Sequence, residues 1–259
     1  MRILFVGSLN VNEIPELDLV INNVKSLVKT LKKQQFDFVI RMVDSTDPTH
    51  IPIDHLVYEA LDEYHKISKK WNAESLTLFN EPGESTNFKV NIPHTSYTAI
   101  TSYRLEFYKE LLNKADIVIG VGGEYGLPRM YMLCEFIRKP ILLLPGSGGS
   151  VDFLWRDFFR KNTEITYLSN KNIQVLKQIP YLNINDPEYS AKIHELIMII
   201  INGFKKHKVS KSPIYTNSLD KITLSDLFKI LRRFSVKLWM ELLSFTIAVI
   251  GLLLYFLLR

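Results

Sequence analysis

Residues 114–126 read KADIVIGVGGEYG, and this stretch decides the fold. An apolar strand predicted at 117–119 runs directly into a glycine-rich loop, which is followed by a predicted helix at 128–138. A strand that is apolar without alternation indicates burial on both faces of a sheet. Glycines at its end allow a tight turn or the close approach of a phosphate. The stretch therefore predicts one strand–helix unit of an α/β protein.

The same alternation of strand and helix extends to both sides of this unit. Further strands are predicted at 3–6, 36–43, 76–79, 141–144 and 165–168, and helices at 14–32, 54–69, 98–113, 152–160 and 187–206. Such alternation indicates parallel strands joined by right-handed crossovers. We therefore expect a Rossmann-like α/β fold, a parallel sheet with helices on both faces.

Three glycine-containing loops follow predicted strands, at 7–10, 120–126 and 145–150. Parallel strands present their carboxyl ends at one edge of the sheet, where ligands bind in open α/β folds. The alternative is that the glycines serve only tight turns. The first loop does not match GxGxxG, so the sequence does not predict an ordinary dinucleotide site. The candidate binding residues in these loops are Gly7, Ser8, Gly122, Gly123, Glu124, Gly126, Gly146, Ser147, Gly148 and Gly149.

Other residues capable of chemistry give weaker signals. Asp44 follows the second strand and could contact a ribose, although a turn or helix cap explains it equally. The single cysteine, Cys134, lies in an apolar run and is interpreted as a small core residue. The six histidines lack paired ligand spacing, and His50 and His55 are separated by a proline, so no metal site is predicted.

The charge of the chain is unevenly distributed. The net charge is +5, yet residues 205–237 alone carry nine Lys or Arg against two Asp, which leaves residues 1–204 slightly acidic. A slightly acidic body argues against a nucleic-acid partner. A basic segment before a hydrophobic helix is typical of the cytoplasmic side of a membrane.

The C-terminal segment predicts a membrane anchor. Residues 242–258 carry no charge and would span about 26 Å as a helix, with Trp239 and Tyr255 near its ends. Glu241 would be costly in lipid, so it is a candidate for a helix–helix contact or a pore lining. A buried core helix is the alternative. We therefore expect a single-pass inner-membrane protein with its bulk in the cytoplasm. Its predicted parts are a nucleotide-binding domain at 1–207, a linker at 208–221, a basic amphipathic segment at 222–237 and a transmembrane helix at 238–258.

Three features together resemble the SLOG superfamily, which includes the LOG phosphoribohydrolases and the DprA/Smf proteins. They are Arg104 on a predicted helix, the stretch 114–126, and the stretch 138–145, which reads RKPILLLP. The resemblance covers residues 1 to about 170. It is greatest to the branch found beside Sir2 and TIR domains in bacterial defence systems, as in the Thoeris effector. The resemblance implies a nucleotide pocket faced by Arg104, although a surface ion pair is an alternative for this arginine.

The sequence departs from the hydrolase branch at the residues that serve catalysis. That branch has a GG-x-G-T-x-E-E run, whereas here Leu127 replaces the threonine, and Arg129 and Met130 replace the acids. A methionine and a cation cannot act as a base or as an anionic stabiliser. Phosphate binding would survive, and Arg129 could assist it. Glu124 or Glu135 could serve as a displaced acid.

The resemblance and the anchor together suggest a sensor-effector. It would bind a nucleotide-derived second messenger, cyclic ADP-ribose-like, with no tightly bound cofactor. It would form a homo-oligomer and disrupt the membrane in antiphage defence. The first alternative is a membrane-tethered hydrolase or transferase acting on nucleotide N-glycosidic bonds, with its carboxylate from Glu124, Glu135 or Glu84. The second is a passive tethered scaffold, in which three glycine loops would have no purpose.

Overall fold

The computed structural model describes residues 1–160, except 15, 43–46, 69–70, 84–88, 125, 138 and 145, together with the single positions 191, 195 and 198. The side chains of 135, 136 and 155–160 are outside the description. The chain divides into two compact units, Met1–Pro213 and Ile214–Arg259. The helices and strands given below all belong to the first unit.

Seven strands lie in one sheet within the described part of the chain. They are β1 (Arg2–Asn10), β2 (Asp37–Arg41), β3 (His50–Pro52), β4 (Leu76–Asn80), β5 (Thr95–Thr98), β6 (Ile117–Gly122) and β7 (Ile141–Leu143). The helices that connect and follow them are α1 (Leu17–Lys33), α2 (Ile53–Ile67), α3 (Arg104–Lys114), α4 (Gly126–Phe136) and α5 (Gly149–Arg160).

The strand order is β5-β4-β2-β1-β6-β7, and every neighbouring pair on this path is parallel. The chain first steps outward from β1 through β2 and β4 to β5. It then returns across the sheet through α3 to β6 on the other side of β1. The direction of winding therefore reverses between β1 and β6. This order confirms the predicted Rossmann-like α/β fold with a parallel sheet.

The reversal also explains the layers. Right-handed crossovers on opposite sides of β1 place α1 and α2 on one face, and α3 and α4 on the other. In agreement, α1 packs against α2, whereas α4 contacts both α3 and α5. Ion pairs at the surface of the first layer join Lys25 to Glu59 and Lys29 to Glu63.

The centre of the sheet is fully apolar, as the sequence predicts. All six residues of β6 are buried, and Phe5 of β1 stacks on Phe38 of β2 with ring centroids 6.4 Å apart. The apolar side of α1, from Val20 to Leu31, is buried. Cys134 is completely buried, in agreement with its interpretation as a core residue. The core therefore holds β1 and β6 rigidly at the middle of the fold.

The structure corrects the predicted elements in two places. A three-residue strand, β3, pairs antiparallel with the far end of β1, so the sheet is not entirely parallel. The helix predicted at 98–113 begins only at Arg104, because Thr95–Thr98 forms the edge strand β5 instead. Both strands are short, and neither contains a buried residue. Their sequences therefore lack the hydrophobic pattern that marks the central strands.

Several predicted segments lie outside the described residues. They are the strand at 165–168, the linker at 208–221, the basic segment at 222–237 and the apolar segment at 238–258. Of the helix predicted at 187–206, only the single positions 191, 195 and 198 are described. Within the part of the chain that the structure describes, no helix has the length and hydropathy needed to cross a membrane.

Gly7 provides a test of how closely β1 and β6 approach. Its φ is +126°, and a Cβ at this position would overlap the carbonyl oxygen of Val121 in β6. Gly7→Ala should therefore lower the free energy of unfolding by about 2–4 kcal/mol, through backbone strain and overlap. Gly83→Ala is the matched control, because Gly83 also has a positive φ but open space around it. Urea denaturation that gave equal losses for both variants would contradict the close approach.

Candidate functional site

The candidate site lies at the carboxyl ends of β1 and β6, where the winding of the sheet reverses. Residues Gly7 and Ser8 of β1 pair with Val121 and Gly122 of β6. The chain leaves β1 after Asn10 and β6 after Gly122, and it continues to helices on opposite faces of the sheet. Loops that diverge in this way open a crevice, and this is where open α/β sheets bind ligands.

The structure corrects the predicted loop at 7–10, which is the end of β1, because Ser8 to Asn10 pair with β3. This end of β1 meets the glycine loops at 120–126 and 145–150. The amide of Gly123 donates to the carbonyl oxygen of Ser8 (2.7 Å), and the amide of Gly122 donates to Oγ of Ser147 (2.8 Å). The amide of Ser150 donates to the carbonyl oxygen of Gly123 (2.7 Å). The loop at 120–126 is thus hydrogen-bonded both to the end of β1 and to the loop at 145–150.

Glycine is required at these contacts for steric reasons. Gly122 and Gly149 both have φ near +57°, and a Cβ at either would overlap a backbone oxygen, that of Ser8 or of Gly123 respectively. Gly148 also has a positive φ, and its Cα lies against the side chain of Ile14. These glycines therefore serve first to let three backbones approach one another.

Several backbone amides of these segments are engaged within the protein. The amides of Gly122 and Gly123 are already used between the loops, and the amide of Gly146 donates to Oδ1 of Asp152 (2.9 Å). Ser147 is buried, and its hydroxyl donates to the carbonyl oxygen of Leu144 (2.6 Å). The loops act as a frame around the crevice.

The start of α4 offers further amides to an anion. This helix begins at Gly126, which is exposed. A Cβ added to Gly126 would meet no neighbouring atom. The first amides of a helix lack intrahelical acceptors and carry the positive end of the helix dipole. An anion approaching through the crevice would meet this end of α4. The contact between Gly123 and Gly149 places the start of α5 beside it.

The two predicted arginines lie on the helices of this face. Arg129 is exposed in the first turn of α4, where it can accompany an anion at the helix start. Arg104 is the first residue of α3 and is also exposed. One turn along α3, the hydroxyl of Tyr108 accepts a hydrogen bond from Nη1 of Arg41 (3.4 Å), a cation at the end of β2 that the sequence did not indicate.

Glu124 lies between the glycine frame and α4, and its carboxylate is held on one side. Its Oε1 accepts hydrogen bonds from Nε2 of His50 (2.8 Å) and from Nδ2 of Asn10 (3.3 Å). The side chain of Glu124 remains 39% exposed. Among the described residues, none donates to Oε2. The carboxylate is therefore oriented, with one oxygen open to a ligand.

His50 is held between two carboxylates. Its Nδ1 lies 2.9 Å from Oδ2 of Asp47, and its Nε2 bonds to Glu124, so both ring nitrogens face acceptors. The hydrogen bond to Glu124 raises the pKa of His50, with a further contribution from Asp47. Hydrogen bonds from Thr49 lower the pKa of Asp47 and fix its carboxylate. When the ring is protonated, both of its nitrogens can donate to these carboxylates.

The sequence did not identify Asn10 or His50 as site residues. They lie directly opposite each other in the antiparallel pairing of β1 with β3, which places their side chains on the same face. The amide of Asn12 donates to Oδ1 of Asn10 (3.0 Å), which turns Nδ2 of Asn10 toward Glu124. No local pattern signals a pairing between residues forty positions apart, so this part of the site required the structure.

Some predicted residues lie outside the described part of the chain. They are Asp44, Glu84, Trp239, Glu241, Tyr255 and the side chain of Glu135. Among the residues that are described, no group of three or more His, Cys, Asp or Glu is arranged to hold a metal ion.

Comparison with known proteins adds only a distant likeness. No family model matches the sequence, and no curated protein matches it. The X-ray structure of TM1055, a structural genomics target, is similar to 66% of this chain over 88% of its own length, with 20% sequence identity and a TM-score of 0.46. A likeness of this degree carries no argument about ligand or activity. The Rossmann-like fold rests on the strand order itself.

The contact between His50 and Glu124 can be tested by titration. Glu124→Gln should lower the pKa of His50, because it removes the negative charge that stabilises the imidazolium. A raised folded-state pKa contributes stability that is fully present below the unfolded value of about 6.5 and is lost as pH rises through the folded pKa. The variant should therefore lose more stability near pH 6 than at high pH. The pKa is measured from the His50 ring resonances by NMR.

The matched control is Glu74→Gln, in an exposed residue that precedes β4 at the opposite edge of the sheet. It should leave the titration of His50 unchanged. An unaltered His50 pKa in the Glu124 variant would show that the two side chains do not interact in solution.

Proposed function

We propose that this chain binds the phosphate of a nucleotide-derived ligand at the start of α4, and that it is a membrane-anchored sensor-effector. The observation that carries the proposal is the meeting of two glycine loops with the end of β1 at the reversal between β1 and β6, beside the exposed start of a helix. Steric needs alone explain each glycine. Those steric needs do not explain why the glycine segments meet around the start of a helix. This meeting point is at the edge of the sheet where open α/β folds bind ligands.

The charges around the crevice favour a ligand with both anionic and neutral polar parts. The helix start and Arg129 offer donors and positive charge to a phosphate. Glu124 lies on the side toward β1 and offers an acceptor. An inorganic polyanion would gain from the first group and be repelled by the second. A nucleotide, in which a phosphate adjoins hydroxyls and a base, suits both.

Binding without turnover is favoured by the residues at the positions where the SLOG hydrolases carry their catalytic run. Leu127 is buried, and its side chain lies against Gly120 and Gly123, so it fills space. Arg129 is exposed and cationic. Neither can activate water or stabilise a positively charged sugar. The resemblance to the branch beside Sir2 and TIR domains makes a cyclic ADP-ribose-like messenger the proposed ligand, and antiphage defence the proposed role.

The proposed effector step is clustering of the C-terminal segments in the inner membrane. A single apolar segment, 238–258, cannot enclose a pore, so membrane activity needs several copies. The polar linker at 208–221 argues against a movement of the ligand-binding domain being transmitted directly to that segment. Ligand promotes assembly only if it binds the assembled form more tightly than the monomer. Clustering would also allow Glu241 to contact polar groups or water instead of lipid.

Gly126 offers a clean test of phosphate binding. Space around it is open and its φ is not positive, so Gly126→Asp should fold normally and place a carboxylate at the start of α4. Like charge should then weaken the binding of AMP and ADP-ribose by about tenfold or more, while an acid at a helix start does not lower thermal stability. Gly126→Ala is the neutral control and should bind as the wild type does. Equal affinities of the Asp and Ala variants in calorimetry would remove α4 from the site.

The effector step is tested with the full chain in liposomes. Addition of cyclic ADP-ribose or ADP-ribose should increase both the oligomeric mass and the rate of dye leakage. Glu241→Leu should leave ligand affinity unchanged and alter leakage, because the proposed contact lies in the membrane segment. Ligand binding with sealed liposomes and constant mass by light scattering would refute the effector step while leaving the binding site standing.

A tethered enzyme is the second candidate, and one observation favours it. Glu124 is a carboxylate oriented by two donors, with one oxygen open at the crevice, as a base or nucleophile toward an N-glycosidic bond would need. Incubation of the full chain with nucleotides separates the two candidates. Release of free base that is lost in Glu124→Gln indicates the enzyme, whereas a ligand-induced rise in melting temperature without turnover indicates the sensor.

A further inference from the structure

We propose that Glu124 recognises a ribose hydroxyl next to the bound phosphate, so that the site selects ribonucleotides over deoxyribonucleotides. This inference rests on the proposed function, because it assumes that a phosphate lies at the start of α4. It adds a specificity-determining residue and narrows the ligand to those that carry a sugar hydroxyl beside the phosphate.

The position of Glu124 along the chain carries the first step. It follows Gly123 of the loop frame and precedes Gly126 by only two residues. The hydroxyl of Ser150 donates to its carbonyl oxygen (2.7 Å), so its backbone is anchored to the start of α5 as well. The carboxylate therefore belongs to the rim of the same crevice. In a nucleoside 5′-phosphate a single methylene links phosphate and sugar, so the ribose must lie at this rim.

The hydrogen bonding of Glu124 carries the second step. Asn10 and His50 both donate to Oε1, which directs the other oxygen away from β1 and β3. Asn10 is fixed in turn by Asn12, and His50 by Asp47. An oxygen held in this way loses little freedom when it accepts a further hydrogen bond. Asn10 and His50 are thus positioning residues for the open oxygen of Glu124.

The chemistry of a carboxylate carries the third step. It accepts hydrogen bonds, it repels phosphate, and it cannot bind a group that lacks a donor. The part of a nucleotide beside its 5′-phosphate that offers donors is the pair of ribose hydroxyls. A hydrogen bond from a hydroxyl to a charged acceptor is among the stronger ones, so its loss is measurable. Deoxyribose lacks one of these donors.

The test compares AMP with its 2′-deoxy and 3′-deoxy forms on the full chain in detergent, by titration calorimetry. AMP should bind at least about tenfold more tightly than one of the two deoxy forms, as expected for a lost hydrogen bond to a charged group. Glu124→Gln should reduce this ratio to about twofold or less, because the amide is a weaker, uncharged acceptor. His50→Gln should reduce the ratio partly. Glu74→Gln should leave it unchanged.

Each outcome separates this inference from the proposed function. If AMP and both deoxy forms bind equally well to the wild type, and Gly126→Asp weakens all three, the phosphate site stands and the role of Glu124 is refuted. If a deoxy form binds more weakly but Glu124→Gln leaves the ratio of affinities unchanged, another residue recognises the hydroxyl and the role of Glu124 is refuted. If neither AMP nor ADP-ribose binds to the wild type, both proposals fail. If Glu124→Gln does not fold, His50→Gln decides instead, because His50 positions the carboxylate: a reduced ratio supports the role of Glu124, and an unchanged ratio refutes it.

Discussion

The site depends on one steric constraint, the close approach of the backbones of β1 and β6 at their carboxyl ends. Gly7 and Gly122 lie where a Cβ would overlap a carbonyl oxygen of the neighbouring strand or loop. This approach allows the amide of Gly123 to reach the carbonyl oxygen of Ser8. Since the loop at 145–150 attaches to the same residues, it too is placed by this constraint. The crevice follows from strand packing before any ligand is considered.

The glycine loops show why glycine content alone does not identify a phosphate site. The amides of Gly122, Gly123 and Gly146 all have acceptors within the protein. Glycine is needed there because three backbone segments meet. The amides that we propose for an anion belong to α4, the helix that follows the loop at 120–126. The two functions of glycine, close packing and ligand approach, are thus divided between adjacent residues. In the loop at 120–126, Gly126 has open space around it.

The sequence predicted the central strands because each is a run of apolar residues, as in Ile117–Gly122, followed by a loop signal. It also predicted that the segments 7–10, 120–126 and 145–150 lie at one edge, since parallel strands end there, but the first of them is the end of β1 and not a loop. It did not predict β3 or β5, which are short and lack buried residues. His50 was missed for the same reason. Its contact with Glu124 arises from the pairing of β3 with β1, and spacing along the chain carries no information about that pairing.

The attachment of Ser150 to the loop at 120–126 has a mechanical consequence. Its amide bonds to the carbonyl oxygen of Gly123, and its hydroxyl bonds to that of Glu124, so two consecutive peptide groups are clamped to the first turn of α5. The segment before α4 therefore cannot shift alone. Any movement that tightens it around an occupant must drag α5 along as a rigid rod or break both bonds. An adjustment at the crevice is thereby coupled to the position of α5.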